Sequence, residues 1–163
     1  MNKQLTVGLL AAALLMTSAV DAADNQTIVA MATCQDSWLD WVPGSGQSEK
    51  FVRDMKQSFT QKPDADAYTP LRPTTYLGRQ ITAVQPESVG MALGFSLAVE
   101  ASFGDVKKAI ENHMKKTFEK CNPSGDGNSC EMEIAEKKTI FLMGSADKTQ
   151  RGVLTGCYYY YEK

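Results

Sequence analysis

The sequence predicts an α+β fold, with an antiparallel sheet of about four strands in ββαββ order, one crossover helix packed on the sheet and two helices before it. Three observations carry this prediction. Apolar and small or polar residues alternate from Leu93 to Ala101, as in a half-buried strand. A helix start follows directly, with Ser102 as N-cap and Asp105 three residues later. Strand-forming residues then resume at Cys130, and strands on both sides of one amphipathic helix favour a sheet covered on one face.

Residues 1–22 have the three parts of a secretory signal peptide: a polar start, an apolar run from Leu5 to Met16 and a small-residue segment ending at Ala22. We expect cleavage after Ala22 or the next residue. The apolar run is shorter than the roughly 20 residues that a spanning helix needs, so we expect a soluble mature chain without a stable membrane anchor. Residues 23–163 are then one α+β domain of a periplasmic or secreted protein.

Four cysteines remain after this cleavage, and an even number in an exported protein predicts two disulfides. Three pairings are open. We favour Cys121 with Cys130, because the eight residues between them are rich in turn formers. Cys34 is then left to pair with Cys157. The cysteine spacings match no zinc-binding pattern, so no metal site is assigned.

Two helices are predicted before the sheet, the first from Ile28 to Val42 and the second from Gln47 to about Thr60, because apolar residues recur at helical spacing in both. The segment from Lys62 to Thr75 contains three prolines and is predicted to be a connecting loop. The following elements are strands at Arg79–Gln85 and Leu93–Ala101, a crossover helix from Ser102 to about Lys120, strands at Cys130–Met143 and Val153–Tyr161, and a hairpin loop from Gly144 to Gly152.

The strongest binding signal is the run of four tyrosines near the end of the chain. Strand alternation places Tyr158 and Tyr160 on one face, and Tyr159 and Tyr161 on the other. An exposed pair would offer a large contact area at low entropic cost to a protein partner. In the alternative, one pair fills the core and the other lies on an ordinary strand surface. Tyr68, in the proline-rich segment, is a further candidate binding residue.

Charge and motifs exclude several function classes. The net charge is −2, and no basic patch is interleaved with aromatic residues, so we expect no nucleic-acid partner. The single histidine, His113, is predicted on the apolar stripe of the crossover helix, where a core role is commoner than catalysis. Because no nucleotide, metal or nucleophile motif is present, we assign no cofactor and no catalytic residue, which argues against an enzyme.

We therefore expect an exported, non-enzymatic protein-binding domain. In the sharper version it is an inhibitor or immunity protein that blocks a secreted or periplasmic hydrolase or toxin, using the loops Pro63–Tyr76 and Gly144–Gly152 and the tyrosine run. One alternative is a small exported hydrolase whose carboxylate site is built from Asp64, Asp66, Glu100 or Glu131. Another is a structural component of the cell envelope that self-associates through its sheet edges.

Overall fold

The computed structural model describes residues 25–36, 57–63, 65, 67–86, 93–124, 127–145, 147 and 149–159. Two helices and nine strands lie in these ranges: α1 (Gln26–Ala32), β1 (Phe59–Gln61), β2 (Tyr68–Pro70), β3 (Thr75–Tyr76), β4 (Arg79–Pro86), β5 (Leu93–Val99), α2 (Phe103–Met114), β6 (Lys120–Ser124), β7 (Gly127–Ala135), β8 (Lys138–Ser145) and β9 (Val153–Tyr159). The strands form one antiparallel sheet in the order β1-β2-β4-β5-β9-β8-β7-β6, and β3 pairs with β4 outside this path.

The predicted four-stranded ββαββ sheet is wrong, because the chain is richer in β-structure than that. Three short strands, β1 to β3, precede the predicted sheet; β2 lies within the segment that was expected to be a loop, and β3 begins at the last residue of that segment. Pro70 is the last residue of β2, and Pro123 lies in β6 at the sheet edge. Proline is tolerated at both kinds of position, since few ladder hydrogen bonds are lost there.

The strand expected from Cys130 to Met143 is instead two strands, β7 and β8. They are joined by a tight turn in which Lys137 has a left-handed backbone (φ 64°). Apolar residues alternate with acidic ones in β7 and follow one another without a break in β8, and neither pattern marks the turn between the two strands. The predicted Gly144–Gly152 loop is shorter than expected, because Gly144 and Ser145 still belong to β8.

Both helices depart from their predicted lengths. The start of α2 is as expected, with the Ser102 hydroxyl oxygen accepting a hydrogen bond from the Asp105 backbone N–H at 3.2 Å. The helix ends at Met114 and not near Lys120, because Lys115 adopts a left-handed conformation (φ 54°). His113 is exposed, so its predicted place on the apolar stripe is wrong.

The first predicted helix also ends early, since α1 stops at Ala32 and Cys34 has φ 58°. Thr33 helps to close this end, because its hydroxyl donates to the Val29 carbonyl oxygen at 2.7 Å. Residues 37–56 lie outside the described part, and with them most of the second predicted helix. Of its described residues, Gln57 and Ser58 are helical, whereas Phe59 and Thr60 are in β1.

One carboxylate stabilises the end of α2. Glu111 accepts hydrogen bonds from the Lys107 ammonium at 2.5 Å and from the Phe118 backbone N–H at 3.0 Å. The Lys107 ammonium also lies 5.7 Å from the centre of the Phe118 ring. Partial burial raises the pKa of Glu111, but the hydrogen bonds from Lys107 and Phe118 and the charge of Lys107 outweigh it, so the pKa is lowered.

The core lies between the helices and one side of the sheet, which we call the inner face. The end of α1 is joined to this face by the disulfide between Cys34 and Cys157, whose Cα atoms are 5.3 Å apart. Buried side chains from both helices and seven of the strands form a single apolar cluster: Ile28, Met31, Phe59, Tyr76, Ile81, Val84, Phe95, Leu97, Val99, Val106, Ile110, Met132, Ile140, Leu142 and Val153. The opposite side of the sheet is called the outer face.

A second disulfide joins Cys121 on β6 to Cys130 on β7, with a Cα–Cα distance of 4.0 Å. The two disulfides are the pairings that the sequence favours, and together they are consistent with a periplasmic or extracellular location. Within the described ranges, neither helix is long and apolar enough to cross a membrane.

Candidate functional site

The outer face of the sheet carries an exposed apolar pair. Met143 on β8 lies directly opposite Leu154 on β9, and their side chains are 49% and 39% exposed. Directly opposed residues on antiparallel strands have Cβ atoms about 5 Å apart, so these two side chains form one surface. Ala98 on β5 lies opposite Leu154 and continues the row. A third exposed large apolar residue in the described part, Leu71, lies after β2 and is 56% exposed.

Two aromatic side chains lie beside this pair on the outer face. Phe141 and Tyr158 are only 3% and 8% exposed, and their ring centroids are 5.7 Å apart. Phe141 faces Gly156 across β8 and β9. A Cβ atom at Gly156 would lie 1.9 Å from the Phe95 carbonyl oxygen, so only glycine permits this close approach of β5 and β9. The apolar pair therefore lies on a tightly packed part of the sheet.

A buried hydrogen bond strengthens this central region from the inner side. The Thr155 hydroxyl donates to the Phe141 carbonyl oxygen at 2.8 Å, and Thr155 is fully buried. A buried hydroxyl without a partner would cost free energy, and this contact satisfies it. This contact thus joins β9 to the backbone of β8 next to the exposed pair.

A groove of about 250 Å³ adjoins the aromatic pair on the side of β7. It is lined by Glu119, Lys120, Glu131, Glu133, Lys137 and Thr139. Three of these side chains are acidic and two are basic. Glu131 lies opposite Phe141, and Glu133 lies opposite Thr139. The acidic side chains of β7 are therefore direct neighbours of the outer-face residues of β8. The aromatic pair, which lies between this groove and the apolar pair, therefore has a charged border with a small acidic excess.

A second groove, of about 430 Å³, lies at the start of α2 and is lined by Gly78, Arg79, Gln80, Glu100, Ala101, Asp105 and Arg151. Glu100 lines this groove, whereas Glu131 lines the other one. Of the four carboxylates considered for a hydrolase site, these two are thus not brought together. Asp64 and Asp66 lie outside the described residues. Among the residues that are described, no group of three or more His, Cys, Asp or Glu side chains is arranged to hold a metal ion.

The structure separates the tyrosines that the sequence singled out. Tyr158 lies on the outer face but is buried, and Tyr68 is half-buried on β2 and packs against the core cluster. The backbone of Tyr159 pairs with Leu93 and Lys138, and Tyr160 and Tyr161 lie outside the described part. Their role in binding stays a prediction.

Sequence reasoning missed Met143 and Leu154. Each stands inside an apolar run, Ile140 to Met143 and Val153 to Leu154, where nothing local distinguishes the exposed residue from the buried one. The signal that finds them is strand register. Once β8 and β9 are aligned with Ile140 and Leu142 facing the core, Met143 must face the other side of the sheet.

Comparison of the chain with protein-family models, with curated proteins and with solved structures finds no match.

Proposed function

We propose that this chain is an exported, non-enzymatic protein-binding domain that binds its partner on the outer face of the sheet. The exposed cross-strand pair of Met143 and Leu154 is the observation that carries the proposal. Fully burying a side chain of this size stabilises by about 1.5–3 kcal/mol, so covering these half-exposed side chains contributes roughly 1 kcal/mol each. A central apolar contact with a polar border is typical of specific protein interfaces.

The charged groove beside the aromatic pair favours a partner of complementary charge. Glu131 and Glu133 lie on the strand next to the aromatic pair, and Lys120 lies opposite Glu131. Since acidic side chains are in excess in this groove, the complementary surface has an apolar centre and basic residues on one side. Charges at the rim of an interface act mainly on the association rate and on the choice of partner.

The finer proposal is that the partner is a secreted or periplasmic hydrolase or toxin, and that this chain is its inhibitor or immunity protein. Two disulfides and a closely packed sheet centre support it, because a rigid binding surface loses little conformational entropy on association.

The test uses the tagged mature chain as bait in the periplasmic and secreted fractions of its host, followed by titration calorimetry with the recovered partner. The variant M143E/L154E places two charges in the proposed contact. L71E is the control, because it makes one substitution of the same kind at an exposed apolar residue elsewhere. We expect M143E/L154E to weaken binding at least about a hundredfold and L71E to leave it unchanged.

Equal binding by the wild type and M143E/L154E would refute the outer face as the binding surface. Recovery of no specific partner from either fraction would count against a binding protein altogether. If the partner is a hydrolase or toxin, its activity should fall in proportion to the complex formed. Full activity in the saturated complex would overturn the inhibitor version and leave the binding proposal intact.

A further inference from the structure

The two disulfides differ in their exposure to solvent. Cys34 and Cys157 are both buried, at 5% and 0% exposure, and lie beneath α1 against the centre of the sheet. The other bond differs at one end, because Cys130 is buried whereas Cys121 is exposed. Thiol–disulfide exchange requires a thiolate to reach one of the two sulfurs. The Cys121–Cys130 bond is therefore the easier of the two to attack.

The position of Cys121 in the sheet adds to this difference. It lies on β6, the last strand of the sheet, and β6 has one neighbouring strand, β7, in the described part of the chain. Cys121 and Cys130 are directly opposed in the register of these two strands. Pro123, in the same strand, has no backbone N–H to donate. An edge strand of this kind separates from its neighbour more easily than a central strand does.

We propose that the Cys121–Cys130 disulfide is a thiol-exchange site, reduced in the folded protein by a dithiol reductant that attacks the sulfur of Cys121. A thiolate of the reductant forms a bond to Sγ of Cys121, and the disulfide breaks. Its electron pair passes to Sγ of Cys130, which takes up a proton. The second thiol of the reductant then attacks its partner sulfur in the mixed disulfide and releases Cys121 as a thiol. One dithiol is oxidised to a disulfide, and two protein thiols are formed.

The consequence of reduction is local. The β6–β7 pairing loses its covalent link, while Cys34–Cys157 continues to join α1 to β9. Lys120, which lines the groove beside β7, lies next to Cys121 in the chain, so opening of β6 moves one wall of that groove. The central strands β5, β8 and β9 are unaffected.

The experiment uses the folded, disulfide-bonded mature chain and dithiothreitol as the dithiol. Samples are quenched with iodoacetamide at intervals, and alkylation of each cysteine is followed by peptide mass spectrometry. We expect Cys121 and Cys130 to be alkylated at least about tenfold faster than Cys34 and Cys157, with the near-ultraviolet circular dichroism retained. Equal rates, earlier reduction of Cys34–Cys157, or reduction only when the protein unfolds would each overturn the proposal.

The sulfur that is attacked is identified with a thioredoxin-type reductant whose second cysteine is replaced by serine, which traps the mixed disulfide. We expect the trapped bond on Cys121, and a bond on Cys130 would refute the proposed direction of attack. C121S/C130S is the control, and it should trap nothing. Should that variant fail to fold, the alkylation rates of the wild-type protein still decide the proposal. Neither measurement involves the partner proposed for the outer face, so the outcomes of both are independent of the proposed function.

Discussion

Removal of the Cys34–Cys157 disulfide should be the most damaging change to stability among the covalent links of this protein. The bond closes a loop with a sequence separation of 123, whereas Cys121–Cys130 closes one of 9. On the chain-entropy model, crosslinks at these separations destabilise the unfolded state by about 4.9 and about 2.6 kcal/mol, respectively. We therefore expect C34A/C157A to lose about 2 kcal/mol more stability than C121A/C130A.

Burial widens this difference. Both cysteines of the long-range bond lie in the core cluster, whereas of the other pair only Cys130 does, so C34A/C157A removes one more packed sulfur atom, at a further cost of about 1 kcal/mol. Cys121 is exposed, and its truncation leaves no cavity on that side. The measurement is urea unfolding of the mature wild-type protein and the two double variants, followed by circular dichroism, with the slope fitted separately for each protein because loss of a crosslink expands the unfolded chain.

An equal or larger loss in C121A/C130A would refute the reasoning, because it would show that loop length and burial do not determine the order. Small proteins have unfolding free energies of about 5–15 kcal/mol, so C34A/C157A is expected near the lower limit of cooperative folding. Absence of a cooperative transition in that variant, with a transition retained in C121A/C130A, agrees with the expected order.

Three further changes test single contacts, each by urea unfolding. Gly156→Ala should lower the free energy of unfolding by about 3 kcal/mol or more, because the new Cβ would lie 1.9 Å from a backbone oxygen. Gly104→Ala, whose new Cβ would have no atom within 4 Å, should be neutral or raise it by up to about 1 kcal/mol. Glu111→Gln should lose about 1 kcal/mol at pH 7, since it weakens the ion pair with Lys107 and the bond from the Phe118 N–H. Because the folded-state pKa of Glu111 is lowered from its ordinary 4.5, this contribution is present above pH 4.5 and is lost as the pH falls through the lowered value. Ser102→Ala should lose about 1 kcal/mol through the missing N-cap of α2.

Each of these expectations has a clear contrary result. Similar stabilities of the two alanine variants at Gly156 and Gly104 would show that β5 and β9 do not approach as closely as the structure indicates. A difference between the wild type and Glu111→Gln that persists below the lowered pKa would show that the carboxylate charge is not its source. An unchanged stability of Ser102→Ala would show that another group replaces the cap.

The local signals in the sequence were sufficient for some elements and not for others. β5 and the start of α2 were predicted because alternation and capping act over a few neighbouring residues. β1, β2 and β3 span two or three residues each, too few to show a period, and they form through pairing with distant strands. β6 was hidden for a second reason, since its proline and turn-forming residues also suit a loop closed by a disulfide.

The candidate site also depends on contacts between distant parts of the chain, which local sequence signals do not reveal. The tyrosine run attracts attention by composition, yet Tyr158 is buried against Phe141. Composition does not indicate which strands flank a residue or what covers it. Met143 and Leu154 became recognisable only through the pairing of β8 with β9, a contact across the Gly144–Gly152 segment. Exposure of an apolar residue is thus a property of register, which the sequence specifies only through the whole sheet.

The two disulfides hold different strands of the sheet in place. Cys157 fixes β9, one of the two strands that carry the exposed pair, whereas Cys121 fixes only the edge strand that borders the charged groove. Reduction at the edge therefore leaves the apolar contact in place and changes the charged border alone. Since rim charges act mainly on association rates, we expect the reduced protein to bind the partner proposed for the outer face with a changed association rate and a nearly unchanged dissociation rate. A change confined to the dissociation rate would instead place the edge strand within the apolar contact itself.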